Sequence, residues 1–174
     1  MKFKQIIILD QVNLSEESVK ELNKYSENEV NLYLDDPKNE EETIQRVGNA
    51  DCILLSWKTK INEKVLNSCK NLKFIGICGT NFNYIDLKAC SKRGIVVSNV
   101  KDYGDEGVVE WIIFELIKLF RGFGKYQWKD EPSELSRKTI GILGLGAVGK
   151  LLADVALGFK LLIPLVYSPV ELNS

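Results

Sequence analysis

Histidine is absent from the 174 residues. With it go the imidazole general acids and bases and the commonest nitrogen ligand for a metal. Four cysteines, Cys52, Cys69, Cys78 and Cys90, form no CxxC pair and lie in apolar or helical contexts. That pattern predicts buried, reduced thiols rather than metal ligands or disulfides. Blocks of like charge are missing as well: 23 Lys+Arg stand against 24 Asp+Glu, a net charge of −1, which speaks against a nucleic-acid footprint. The basic start MKFK leads into an apolar run too short for a signal peptide. The greasiest segment, WIIFELIKLF at 111–120, is broken by Glu115 and Lys118 and is too short to span a bilayer. There is no internal repeat. The expected setting is a reducing cytoplasm and a small-molecule partner, with neither nucleic acid nor membrane.

What is present is an alternation of short Ile/Val/Leu-rich runs with helix-like segments, the sign of βα units and a parallel sheet. FKQIIIL (3–9), EVNLYL (29–34), DCILLS (51–56), LKFIGI (72–77) and IVVSNV (95–100) read as strands. Between them SEESVKELNKYS (15–26), EETIQRVG (41–48), NEKVLNSC (62–69) and DLKACSKRG (86–94) read as helices, with Ser15 as a cap and Gly48 and Gly94 as stops. Five parallel strands wound this way predict a flavodoxin-like doubly wound unit ending near residue 98. A long helix follows at 105–121, apolar on nearly every side, so it is expected to be buried between layers or against another subunit. A polar loop (121–136) leads to a strand at 139–145, a helix at 147–158 and a strand at 161–168 in which Pro164 argues for an edge or a bulge.

The turn between that strand and helix is GLGAVG (144–149), a full GxGxxG in the strand–turn–helix context the motif requires. Gly144 permits the tight turn, Gly146 lets backbone approach a pyrophosphate, and Gly149 lets the helix pack closely on the strand. The N–H groups around Ala147 and Val148 and the positive end of the helix dipole then face the anion. A tight βα turn that serves packing alone is the plainer alternative. About 20 residues on, where NAD-binding units carry Asp or Glu for the ribose hydroxyl, stands Ser168. A serine can bond that hydroxyl without repelling a 2′-phosphate, so NAD is expected and NADP stays open.

At these residues the chain resembles the D-isomer-specific 2-hydroxyacid dehydrogenase family, which includes phosphoglycerate, glycerate and D-lactate dehydrogenases. LKFIGICGTNFNYIDL (72–87) with SKRGIVVSNV (91–100), YGDEGVVEW (103–111) and residues 139–169 carry the resemblance, in the family's order and spacing. It implies a substrate domain over 1–98 and an incomplete NAD(P)-binding Rossmann domain over 99–174. It further implies that Cys78, Gly79, Thr80 and Asn81 form the loop whose N–H groups hold the substrate carboxylate; read without it, the loop is an ordinary βα turn. The family's catalytic His, Glu and Arg belong to a later part of the nucleotide domain, so no catalytic residue carries over. Lys101 stands where the family commonly has Pro, and the segment around Leu162 is one residue longer than its pattern.

Two strands and one helix make less than a dinucleotide half-site, which needs βαβαβ. The chain is therefore expected to be a fragment or a decayed copy, inactive alone. One expectation is an NAD(P)-dependent oxidoreductase of D-2-hydroxy acids seen in its N-terminal part. The other is a non-catalytic module that binds nucleotide weakly or dimerises through helix 105–121. A receiver-like phospho-acceptor is excluded, because the end of the third strand reads Leu55-Ser56-Trp57 where an Asp is needed.

Overall fold

Ile6, Ile7 and Ile8 are each at most 5% exposed. A strand buried on both faces is what a parallel sheet covered by helices requires. They form β1 (Ile6–Ile8) of a computed structural model that describes residues 2–124 and 131–166. The chain divides into two compact units, residues 1–101 and 102–174. Among the described residues no helix is long and apolar enough to cross a membrane.

The first unit continues with α1 (Glu16–Asn23), β2 (Asn31–Leu32), α2 (Glu40–Val47), β3 (Cys52–Leu55), α3 (Glu63–Ser68), β4 (Phe74–Ile77), α4 (Leu87–Lys92) and β5 (Val96–Asn99). All five strands are parallel, in the order β2-β1-β3-β4-β5. That is the flavodoxin-like order, with its switch point between β1 and β3. Strand alternation sorts the core. Ile7, Leu9, Ile53, Leu55, Ile75 and Ile77 face the layer built from Val47, Val65, Leu66, Ala89 and Cys90 of the 40–92 helices. Ile6, Ile8 and Cys52 face Val19 and Leu22 of α1. Each helix starts on a side-chain cap: Ser15, Asn39, Asn62 and Asp86 accept from the N–H three residues on. Cys52, Cys69 and Cys90 are buried, Cys78 is half-buried, and all four thiols are free.

The second unit comprises α5 (Asp105–Arg121), β6 (Ile142–Leu143), α6 (Ala147–Gly158) and β7 (Leu165–Val166). Val109 and Ile113 of α5, Ile142 of β6 and Leu152 of α6 form its core. Both helices lie on one face of the β6/β7 pair. Leu143 and Leu162, on the opposite face by strand alternation, are 79% and 58% exposed. The all-round apolar helix is not all-round buried, since Val108, Trp111 and Phe114 remain 46–63% exposed.

Within the described residues the strand expected at 161–168 is interrupted. Thr139 bridges Leu162, and pairing resumes only at Ile142 with Leu165. The register is the same on both sides, so no bulge forms. Pro164 has no N–H to give the Ile140 carbonyl that this register places opposite it, and the ladder lapses there.

Candidate substrate and nucleotide sites

In open α/β sheets ligands sit outside the carboxyl ends of the strands. Here the pairing of Ile8 with Leu54 and of Leu55 with Ile77 lines up Asp10, Ser56 and Cys78 just past those ends. Asp10 is fully buried. Its carboxylate accepts from the Ser56 N–H (2.8 Å), the Ser56 hydroxyl (3.1 Å) and the Thr59 hydroxyl (2.6 Å), which pins the turn after β3. Asp10 directly follows the strand expected at 3–9, and nothing local in the sequence signals that its three donors lie more than 40 residues away.

The 78–81 loop is held by its carbonyls. Gly79 O accepts from the Val100 N–H (3.0 Å) and Thr80 O from Asn99 Nδ2 (2.7 Å), while Asn81 Oδ1 accepts from the Asn83 N–H (2.9 Å). Asn99 is a second residue missed from sequence, where it reads as a plain strand position. Among the described residues nothing accepts from the N–H groups of Gly79, Thr80 and Asn81. Thr80 and Asn81 are exposed, and a Cβ built on Gly79 meets nothing within 4 Å. Three free donors on an open turn are available to an anion.

Cys78 departs from the sequence expectation, because its N–H already donates to Leu55 O (2.8 Å) as the last rung of the sheet. The loop's free N–H donors among the described residues therefore reduce to three. Burial, and then the Asp10 charge, raise the Cys78 thiol pKa, so it stays protonated and serves as filler. Tyr84 is pushed up to about 12 by burial first, then by Asp10 and Cys78. Its buried hydroxyl has no hydrogen-bond partner among the described residues.

In the second unit the three glycines of the 144–149 turn have three different reasons to be glycine. Gly144 takes φ +96, in the left-handed half of the map. A Cβ on Gly149 would lie 2.1 Å from Gly144 O, so α6 packs against the turn at a distance only glycine permits. Gly146 has neither constraint: its φ is −68 and a Cβ there meets nothing within 4 Å. The space above Gly146 is left open. Gly146 caps α6 without a side-chain hydrogen bond, unlike the caps of α1 to α4. The first helical bond of α6 runs from the Lys150 N–H to Gly146 O (3.0 Å). The N–H groups of Ala147, Val148 and Gly149 thus have no acceptor among the described residues, and they stand at the positive end of a 12-residue helix.

The structure thus brings five of the six sequence-predicted nucleotide residues onto one turn. Ser168 lies outside the described residues.

Residues 6–150 match the model of the D-isomer specific 2-hydroxyacid dehydrogenase, catalytic domain. Hydroxypyruvate reductase of Blautia hydrogenotrophica is 31% identical over 140 residues, covering 70% of this chain and 43% of the relative. The NAD+-bound 3-phosphoglycerate dehydrogenase of Entamoeba histolytica superposes with a TM-score of 0.75 at 30% identity, over 97% of this chain and 55% of that one. An acyclic imino acid reductase in complex with NADPH and D-Arg gives a TM-score of 0.75 at 27% identity, over 90% and 54%. The chain spans less than half the length of the curated relative and about half of the solved structures. It belongs to the D-isomer-specific 2-hydroxyacid dehydrogenase family.

Proposed function

We propose that these residues carry the acid-binding and nucleotide-binding parts of an NAD(P)-dependent oxidoreductase acting on the CH–OH group of a D-2-hydroxy acid. The observation that carries this reading is the 144–149 turn, where Gly146 is free of any steric need for glycine and stands under three undonated N–H groups. A pyrophosphate fits there because its oxygens accept what the helix start offers, and a side chain at Gly146 would occupy the approach. The NAD and NADPH of the solved relatives support the same choice of ligand. Ser168 is assigned to the ribose hydroxyl, with NAD as the expected cofactor and NADP admitted by the lack of a carboxylate there.

Residues 1–98 act as the substrate domain and 99–174 as part of the nucleotide domain. When bound, the nicotinamide supplies or accepts the hydride. The chain's own part is to hold. The N–H groups of Gly79, Thr80 and Asn81 orient the acid's carboxylate, with Asn99 fixing the loop that carries them. No imidazole is present, so binding and positioning are assigned to these residues and proton transfer is not. Trp111 and Phe114, 63% and 55% exposed on the long helix, are assigned to a homodimer contact through residues 105–121. The buried free thiols suit a reducing cytoplasm.

The lack of histidine favours a second reading, a non-catalytic module that binds nucleotide or dimerises. Mixing the protein with NADH and 2-oxobutanoate separates the two. Saturable binding of both NADH and the acid supports the oxidoreductase; NADH binding with no binding of the acid supports the module.

A further inference from the structure

The amino ends of the strands, at the edge of the sheet opposite Asp10, carry an arrangement of their own. Asp51 is buried there and accepts from the backbone N–H groups of Lys4 (3.1 Å) and Gln5 (3.1 Å), which ties the entry of β1 to that of β3. A cleft of about 650 Å³ opens beside this tie, bounded by β2 and the end of α2. Six side-chain carboxamides line it, those of Gln5, Asn28, Asn31, Gln45, Asn49 and Asn71. Its lining includes no carboxylate, and its base reaches the buried Ile7, Val47 and Ala50.

The carboxamides divide into two sets. Three are anchored through their NH2 groups: Gln5 Nε2 donates to Glu29 O (2.7 Å) and Ile6 O (3.1 Å), Asn28 Nδ2 to Lys4 O (2.7 Å), and Asn71 Nδ2 to Asn49 O (3.4 Å). Their oxygens accept from nothing among the described residues, which leaves three placed acceptors. The side chains of Asn31, Gln45 and Asn49 make no hydrogen bond among the described residues, so each offers one acceptor and two donors. The chain turns out of α2 at Gly48, φ +49, and among the described residues no donor reaches the carbonyls of Gln45 and Arg46. Arg46 is spent on Glu42 and on the carbonyls of Leu9 and Asp35, which leaves Lys4 as the exposed cation of the lining.

We propose that this amide-lined cleft, at the sheet end opposite the 78–81 loop, is a second ligand site that takes an uncharged polyhydroxylated molecule of disaccharide size. A hydroxyl donates once and accepts twice, so a polyol satisfies both sets of carboxamides. An anion would face three anchored amide oxygens and the open carbonyls at the negative end of α2. A cation would face Lys4 and find no carboxylate in the lining. At ~30 Å³ per water-sized group the volume holds about twenty non-hydrogen atoms, which is two sugar rings rather than one. The buried Ile7, Val47 and Ala50 give the carbon face of such a ring an apolar floor.

The test titrates the 15N-labelled 174-residue protein with trehalose, sucrose and lactose in turn, and with lactobionate as an anionic counterpart, read at the side-chain and backbone amides. At least one of the three sugars is expected to shift the side-chain amides of Gln5, Asn31, Gln45 and Asn49 saturably at millimolar concentration, with the backbone amides of residues 79–81 unmoved. Lactobionate is expected to bind more weakly than that sugar. Gln45→Ala combined with Asn49→Ala is expected to weaken binding about tenfold, the scale of two neutral hydrogen bonds. Both side chains are exposed and bonded to nothing among the described residues, so the combined variant should keep the native backbone spectrum. Shifts that stay linear with all three sugars, tighter binding of lactobionate, or unchanged affinity in the combined variant overturns the inference, and each leaves the proposed function intact.

Discussion

Gly149 is the residue whose identity the second unit tolerates least. Its missing Cβ would overlap the Gly144 carbonyl, a backbone atom with no rotamer to escape by. Gly149→Ala is therefore expected to destabilise by about 1–3 kcal/mol, the usual cost of overpacking, seen as a lower urea midpoint; a midpoint matching the parent would show that the turn can relax. The buried thiols and Tyr84 set the response to alkali. Cys52 and Tyr84 are each pushed up to about 12, and Cys69, Cys78 and Cys90 are raised, burial coming first in every case. The folded chain keeps these protons where the unfolded chain has released its thiol protons, above the ordinary value of 9.0. Native protein then binds more protons than unfolded protein, so stability falls as pH climbs from about 9 towards 12. Urea midpoints at neutral pH and near pH 10.5 should differ in that direction, and less so in Cys52→Ala. Equal midpoints at the two pH values would contradict the burial argument.

At the level of elements, α5 carries the least satisfied surface. Val108, Trp111 and Phe114 recur every three residues along one side and are about half exposed or more, while Val109 and Ile113 fill the core. Between α5 and α6 an apolar groove of about 410 Å³ is rimmed by Glu106 and Glu110. Trp111→Glu should convert a dimer into a monomer by light scattering, because it places a charge in the contact; a parent protein that is already monomeric would refute the contact. The strands and helices of the first unit were legible because β-branched runs and Ser, Asn and Asp caps are local signals. What could not be read locally is what depends on a partner strand. The Cys78 N–H is taken by Leu55, and Asp10 is buried under Ser56 and Thr59, both through sheet neighbours invisible to sequence spacing. Likewise Pro164 announced a fault in its strand, but only the register shows that the fault is one missing donor rather than a bulge. The roles of Gly144 and Gly149 were readable from the motif, and the structure supplies their steric cause.

Across the whole molecule, the described core clusters keep to one unit or the other: 17 buried residues from Ile7 to Ile95 form the larger cluster of the first unit, and Val109, Ile113, Ile142 and Leu152 centre the second. Residues 1–101 expressed alone should therefore unfold cooperatively in urea; a broad, non-cooperative loss of ellipticity would show that this unit depends on the rest. Among the described residues the second unit presents a parallel strand pair with one face bare, and parallel sheets are stable when both faces are covered. Within it the 144–149 turn is fully formed: positive φ at Gly144, close packing at Gly149, open space at Gly146 and uncapped amides on α6. The central claim, that this turn is a nucleotide site and more than a packing device, is tested most directly by calorimetric titration of NADH into the parent protein and into Gly146→Val. The account predicts saturable binding in the parent and none measurable in the variant, with the fold of both intact; no binding to the parent at millimolar NADH, or equal affinity in the two proteins, would contradict it.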